Sequence, residues 1–231
     1  MSEPLRLRTI VAGVDGSERS AEALAFAERL AQSAGAHLVA ASVYSSRPPW
    51  GRLGSGDAAR ALARAAATAV AVPCSVRIAP AASPAQGLET VAAEEDADLI
   101  VIGSRHRGQL GEALPGDVGH RLLRDPSRPV LFVAPGEPVR ALRHIGVLVT
   151  GEGSQAAALG ERLSAATHSE LRIYQRGGGP SAADDLAEGR LDALVVPDWP
   201  HGLLGRLRRR GRPARRPVGR CALVVAPPGT A

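Results

Sequence analysis

Along this chain, short runs of consecutive apolar residues alternate with stretches in which apolar residues recur every three or four positions. Residues 7–13 (LRTIVAG) form a strand pattern ended by the turn Val14-Asp15-Gly16-Ser17. Ala23, Ala27, Leu30 and Ala34 then share one face of a helix that Gly35 closes. Residues 38–44 predict a second strand, 45–56 a loop rich in Ser, Pro and Gly, 57–71 an Ala-rich helix and 76–79 a third strand. Ser83-Pro84-Ala85-Gln86 is a helix start: Ser83 caps, Pro84 suits the first helical position and Gln86 closes a capping box. That helix ends near Asp96. Residues 99–102 are wholly apolar, as a central strand of a parallel sheet is. A loop leads to Gly116, a helix spans 118–124, and a last strand spans 130–133.

The pattern then repeats. Residues 97–103 (ADLIVIG) run through RHRGQLG to 129–135 (PVLFVAP); residues 191–197 (LDALVVP) run through WPHGLLG to 222–227 (ALVVAP). A repeat of this length is not an accident of composition, and it predicts two copies of one βα module. The second copy starts at His144. At an offset of 135, Ile10 matches Ile145, Gly16 matches Gly151, Ala21 matches Ala156 and Leu24 matches Leu159. Its helix is two residues shorter, after which residues 171–174 match the second strand. Tyr44 to Ser83 spans 39 positions but Tyr174 to Ser181 only seven, so the third strand and the helix before it are missing, replaced by Gly177-Gly178-Gly179. The expectation is an α/β fold: a doubly wound parallel five-stranded sheet with right-handed crossovers, duplicated, the second copy of about four strands. The domains are expected at 1–140 and 141–231.

Composition narrows the function. Hydrophobic residues make up 45% of the 231, enough for a packed core, while aromatics at 3% rule out an extended base-stacking surface. The net charge of +5 is local: from Arg206 to Arg220 there are eight arginines and no acid, and the rest of the chain carries −3. This stretch reads either as a contact for nucleic acid, an acidic partner or a membrane surface, or as a solvated loop. It has no interleaved aromatics and no helix-turn-helix or zinc-finger spacing. Cys74 and Cys221 are far apart with no CxxC and read as buried reduced thiols. MSEPLRLRT has no apolar core of a secretory signal, and no apolar run approaches the ~20 residues of a membrane span. A cytoplasmic, non-membrane protein is expected.

Catalytic chemistry is poorly represented. His37, His106, His120, His144, His168 and His201 show no metal-ligand spacing, and no G-x-S-x-G elbow occurs. Glu94-Glu95-Asp96 and Asp184-Asp185 read as solvated helix ends. Trp50 and Trp199 fall in loops, with packing there as the simplest role. No acid, base and nucleophile assemble, so a non-enzyme is expected.

Val14-Asp15-Gly16-Ser17, the run Asp98-Leu99-Ile100-Val101-Ile102-Gly103-Ser104-Arg105 and Pro129-Val130-Leu131-Phe132-Val133 resemble the universal stress protein family. The resemblance covers residues 7–135, and the truncated copy covers 143–228. It implies a five-stranded parallel α/β fold and, in many members, an ATP site at the carboxyl ends of the strands. In ATP-binding members the loop reads Gly, two residues, Gly, nine residues, Gly, then Ser or Thr. Such glycines let backbone N–H groups turn toward an anion, and the following helix adds its positive end. Here Gly103 and Gly116 fit the first and third glycines, but His106 stands at the second and Asp117 at the Ser/Thr position; Gly108 falls two residues too late. His106 puts a side chain where backbone approaches phosphate and disfavours positive φ. Asp117 either caps the helix from Val118 or repels a triphosphate in a site shielded from water, a repulsion that a bridging cation would reverse.

On the adenine side, Gly13, Val14 and Val43 would line the base slot. Asp15 matches the family position near base and ribose, or it forms an Asx turn before Gly16. Arg105 and Val118 complete the candidate set. In the second copy Thr150 replaces Asp15, and Pro197-Asp198-Trp199-Pro200 offers prolines without N–H groups, so phosphate is not expected there. Family members pair their last strands as dimers. Residues 130–133 and 223–225 could pair antiparallel within one chain, giving an intramolecular pseudo-dimer, or serve a homodimer. The expected function is a cytoplasmic regulatory stress-response protein sensing ATP or another adenine nucleotide, with Mg²⁺ only alongside the nucleotide. The alternative is a nucleotide-independent interaction protein that uses Arg206 to Arg220 on nucleic acid or an acidic partner.

Overall fold

In the computed structural model the described residues are 6–44, 55–104, 106–107, 113–136, 141–149, 154–175, 181–197 and 222–227. Arg105, Thr150, Gly177 to Gly179, Trp50, Trp199, His201, Cys221 and the stretch from Arg206 to Arg220 lie outside them. The first copy contains β1 (Thr9–Gly13), α1 (Glu18–Ala34), β2 (His37–Tyr44), α2 (Gly56–Thr68), β3 (Cys74–Pro80), α3 (Pro84–Glu94), β4 (Leu99–Gly103), a small hairpin of β5 (His106–Arg107) and β6 (Ala113–Leu114), α4 (Asp117–Leu122) and β7 (Val130–Val133). The second contains β8 (His144–Val149), α5 (Gln155–Thr167), β9 (Glu170–Gln175), α6 (Ala182–Ala187), β10 (Ala193–Val196) and β11 (Ala222–Val225).

Nine strands join in one sheet, in the order β3-β2-β1-β4-β7-β11-β10-β8-β9. Reading outward from the middle, β7-β4-β1-β2-β3 is mirrored by β11-β10-β8-β9, so the second copy lacks a counterpart of β3 among the described residues. Within each copy the neighbours are parallel; at the centre β7 and β11 run antiparallel, with Leu131 opposite Val224. This is the intramolecular pairing of last strands that the family resemblance led one to expect. Closing these two edges on each other satisfies backbone groups that would otherwise recruit another chain.

The central strands β7, β10 and β11 are buried throughout, and β4 all but its last residue, because helices cover both faces. Alternation along each strand divides the core in two. Leu99, Val101, Leu131 and Val133 meet Leu24, Phe26 and Leu30 of α1 and Leu159 and Leu163 of α5. Ile100, Ile102, Val130 and Phe132 meet Leu88 and Val91 of α3, Leu122 of α4 and Leu186 of α6. Both layers continue across the β7–β11 seam.

The duplication extends to a polar lock. Asp98 Oδ2, just before β4, accepts the N–H groups of Arg8 at 2.6 Å and Thr9 at 3.0 Å. Asp192 Oδ2, just before β10, accepts those of Arg143 at 2.8 Å and His144 at 2.9 Å. Each carboxylate thus pins the start of its copy's first strand. Asp98 also pairs with Arg162 of α5, a tie between the copies with side chains only 14% and 19% exposed. Loss of the outer strand leaves a mark on β9. Leu171 packs on the α1/α5 side of the sheet, and Ile173, two residues on and facing the same way, is 54% exposed where a counterpart of α2 would lie.

Two local readings change. Gly116, not Asp117, caps α4: its carbonyl accepts the N–H of His120 at 2.8 Å, and Asp117 already belongs to the first turn. Cys74 is half-buried at the start of β3 rather than fully buried, because β3 is an edge strand. Among the described residues no helix is long and apolar enough to cross a membrane.

Candidate functional site

In the first copy the chain leaves β1 toward β2 and β3 on one side, while β4 and β7 lie on the other. Helices therefore diverge above the carboxyl ends of β1 and β4, which opens a crevice at the switch point. A cavity of about 650 Å³ occupies it. Gly13, Val14, Asp15, Val43, Gly103, Gly116, Asp117 and Val118 all line it, brought together from β1, β2, β4 and α4. Of the other two sequence candidates, Arg105 lies outside the described residues. For His106 only the backbone is described, within β5.

The wall has an apolar part formed by Val14, Ala41, Val43, Leu88 and Ile102, and a polar part on the loops and helix starts. At the turn after β1, Asp15 Oδ1 accepts both the backbone N–H of Ser17, at 2.9 Å, and its hydroxyl. This is an Asx turn, and Ser17 Oγ in turn caps α1 through the N–H of Ser20 at 3.3 Å. Burial pushes the Asp15 carboxyl up, but hydrogen bonds from Ser17 and Ser20 and the charge of Arg19 outweigh it, and the carboxyl is held below its ordinary value. Ser83, which caps α3 through the N–H of Gln86 at 3.3 Å, also faces the cavity.

Gly103 has a packing reason to be glycine. A Cβ there would stand 2.4 Å from the carbonyl oxygen of Arg19, so α1 crosses β4 at a distance only glycine permits. Beyond Gly103 the described backbone at Ser104 and His106 turns to partners within the fold. Ser104 is fully buried; its N–H donates to Val133 O at 2.8 Å, and its hydroxyl exchanges hydrogen bonds with the backbone of Leu114. This anchors the hairpin in which His106 pairs with Leu114. The backbone at His106 is therefore extended, and the positive φ expected of a second glycine does not arise there.

Sequence reasoning missed Arg19 and Arg121, which line the same cavity. Arg19 belongs to the first turn of α1, and Arg121 follows Asp117 by four positions on α4, the spacing that places two side chains on one helix face. Among the described residues neither is part of an ion pair with a carboxylate. Nor do three or more His, Cys, Asp or Glu side chains gather in a group suited to a metal ion, again among the described residues.

Among the described residues, larger side chains stand at the corresponding positions of the second copy. Gly13 stands beside Ala41 between β1 and β2; the equivalent register between β8 and β9 sets Leu148 beside Tyr174. Tyr174 is 5% exposed and its hydroxyl donates to Oδ2 of Asp185. Asp185, at 6% exposure, also accepts from Arg190 Nε at 2.8 Å and Arg172 Nη1 at 3.4 Å. This corrects the expectation of a solvated Asp184-Asp185 pair. Asp185 turns inward from α6 because Tyr174 and Arg172 of β9 meet it there. Burial raises its carboxyl, but the Tyr174 hydroxyl and the two guanidinium groups hold it below the ordinary value. Burial and the same carboxylate push the Tyr174 hydroxyl well above its usual value.

Fold and crevice together define a duplicated, doubly wound α/β protein with an open pocket at the switch point of its first copy. The chain belongs to the universal stress protein family, whose profile matches residues 6–134. It is similar to a universal stress protein of Mycolicibacterium smegmatis, 41% identical over 64 residues, which are 28% of this chain and 49% of that protein. The chain thus spans about half the length of that relative. The "universal stress protein in QAH/OAS sulfhydrylase 3'region" of Thermus aquaticus is 32% identical over 137 residues, covering 54% of this chain and 98% of that protein. A solved universal stress protein structure from Archaeoglobus fulgidus DSM 4304, 15% identical, covers 96% of this chain and 98% of its own with a TM-score of 0.57, so the likeness in fold extends through both copies.

Proposed function

We propose that the first copy binds an adenine nucleotide in the crevice, and that the protein is a regulatory, non-catalytic member of its family in which the second copy serves as scaffold. The observation that carries this reading is the 650 Å³ cavity at the switch point, lined by the residues that the family motifs single out. Its apolar wall suits a flat base, and its polar rim of serines and charged groups suits a sugar and an anion. The non-catalytic part is supported by Asp15: a carboxylate held below its ordinary pKa by Ser17 is a weak base. The scaffold part is supported by Leu148 and Tyr174, which occupy the positions of the open slot. If Mg²⁺ enters, it does so with the nucleotide, near Asp117.

The test is calorimetric titration of the purified chain with adenosine, AMP and ATP, with and without Mg²⁺, together with mass spectrometry for nucleotide retained through purification. Saturable 1:1 binding of an adenine ligand without turnover is expected. Failure of every adenine ligand to bind at millimolar concentration overturns the reading, and steady ATP hydrolysis overturns its non-catalytic part. A second reading rests on the eight arginines without an acid from Arg206 to Arg220. Salt-sensitive association with a polyanion, in the absence of nucleotide binding, would favour it.

A further inference from the structure

We infer that the crevice is built for an adenine nucleotide carrying a single phosphate in preference to ATP, and that Arg19 and Arg121 hold that phosphate. This rests on the nucleotide reading above. The two guanidinium groups come from opposite layers. Arg19 rides on α1, which packs on one face of the sheet, and Arg121 on α4, whose Leu122 is buried in the other. Both residues line the same cavity. The backbone of Arg19 is locked against Gly103, so the root of its side chain is fixed at the end of β4. Guanidinium groups present planar forks of donors that match a phosphate, and a pair approaching from two sides fixes its position as well as its charge.

The same wall is unsuited to a longer phosphate chain. Asp15 and Asp117 also line the cavity, so its four charged side chains sum to zero. One phosphate, at about −1.5 to −2, is matched in charge by the two guanidinium groups of Arg19 and Arg121. Each further phosphate adds negative charge with no further cation among the described lining residues, and Asp117 repels it. Part of the backbone that follows the first glycine is committed elsewhere. Past Gly103 it is tied down through Ser104 to Val133 and Leu114, and His106 is paired in the hairpin.

The experiment is titration of the full chain, in Mg²⁺-free buffer, with adenosine, AMP and ATP, for the wild type and for Arg19→Ala, Arg121→Ala and Asp117→Ser. In the wild type AMP is expected to bind at least about ten-fold more tightly than either adenosine or ATP. The AMP-to-adenosine ratio should collapse toward one in Arg19→Ala combined with Arg121→Ala, and Asp117→Ser should raise ATP affinity. Because the readout is a ratio within each variant, a general loss of folded protein does not imitate it. ATP binding as tightly as AMP in the wild type, or an undiminished AMP-to-adenosine ratio in the double variant, overturns the inference while leaving the nucleotide reading intact. Failure of adenosine, AMP and ATP alike overturns the nucleotide reading itself and this inference with it.

Discussion

Gly103 is the position where a packing role and a ligand role make opposite predictions. In Gly103→Ala the new methyl would lie 2.4 Å from Arg19 O, 2.7 Å from Arg19 C and 2.9 Å from Arg19 Cβ. Two of these three are backbone atoms, which cannot rotate away. To restore ordinary contact, the first turn of α1 must retreat from β4 by about 1 Å. That helix is anchored one turn later by Ala23, Leu24, Phe26 and Leu30, all buried, so retreat loosens its packing. Overpacking of this kind costs about 1–3 kcal/mol. At about 2 kcal/mol, the melting temperature of a chain of this size falls by about 4–8 °C. Thermal and urea unfolding of ligand-free protein measure the loss directly. Gly35→Ala is the control: its φ of 64 is strained for a side chain but nothing lies within 4 Å, so the loss there is about 1 kcal/mol of backbone strain alone. If Gly103→Ala unfolded at the wild-type midpoint yet bound nucleotide poorly, the packing argument would be wrong and Gly103 would be a ligand-contact glycine.

Three further outcomes follow from named contacts. Arg162→Met deprives Asp98 of its cation from α5 and is expected to cost about 1.5–3 kcal/mol, the range for a hydrogen bond to a charged group, read as a lowered urea midpoint at unchanged slope. Asp15, Asp98 and Asp185 are each held below the ordinary carboxylate value of 3.8, so their contributions are complete above it and disappear as pH falls through the lower folded values. Stability followed by circular dichroism should therefore decline below pH 3.8, and Asp185→Asn should be less stable at neutral pH with a shallower acid decline; an unchanged acid limb would show that Asp185 is not engaged as described. Finally, since β7 and β11 pair with each other, the chain is expected to run as a monomer in size-exclusion chromatography with light scattering at micromolar concentration, and a stable dimer formed through these strands would contradict the seam.

Much of the architecture was legible in the sequence because its signals are local. Wholly apolar runs mark strands buried on both faces, the Ser83-Pro84 start marks α3, and a constant offset between copies marks the duplication and the missing strand. The antiparallel seam was an expectation of the family resemblance applied to two last strands within one chain. What the sequence left undecided concerns residues distant along the chain. Asp185 reads as a solvated helix-end acid until the register of β9 sets Tyr174 and Arg172 against it. Gly103 reads as a phosphate glycine until the crossing of α1 over β4 places Arg19 O in its path. Arg19 and Arg121, 102 positions apart, resemble ordinary surface cations in the sequence. They line one cavity because α1 and α4 pack on opposite faces of the sheet and both begin near the carboxyl ends of its strands. Periodicity determines which element a residue joins; register and crossing distance, set by packing over the whole sheet, decide what that residue meets.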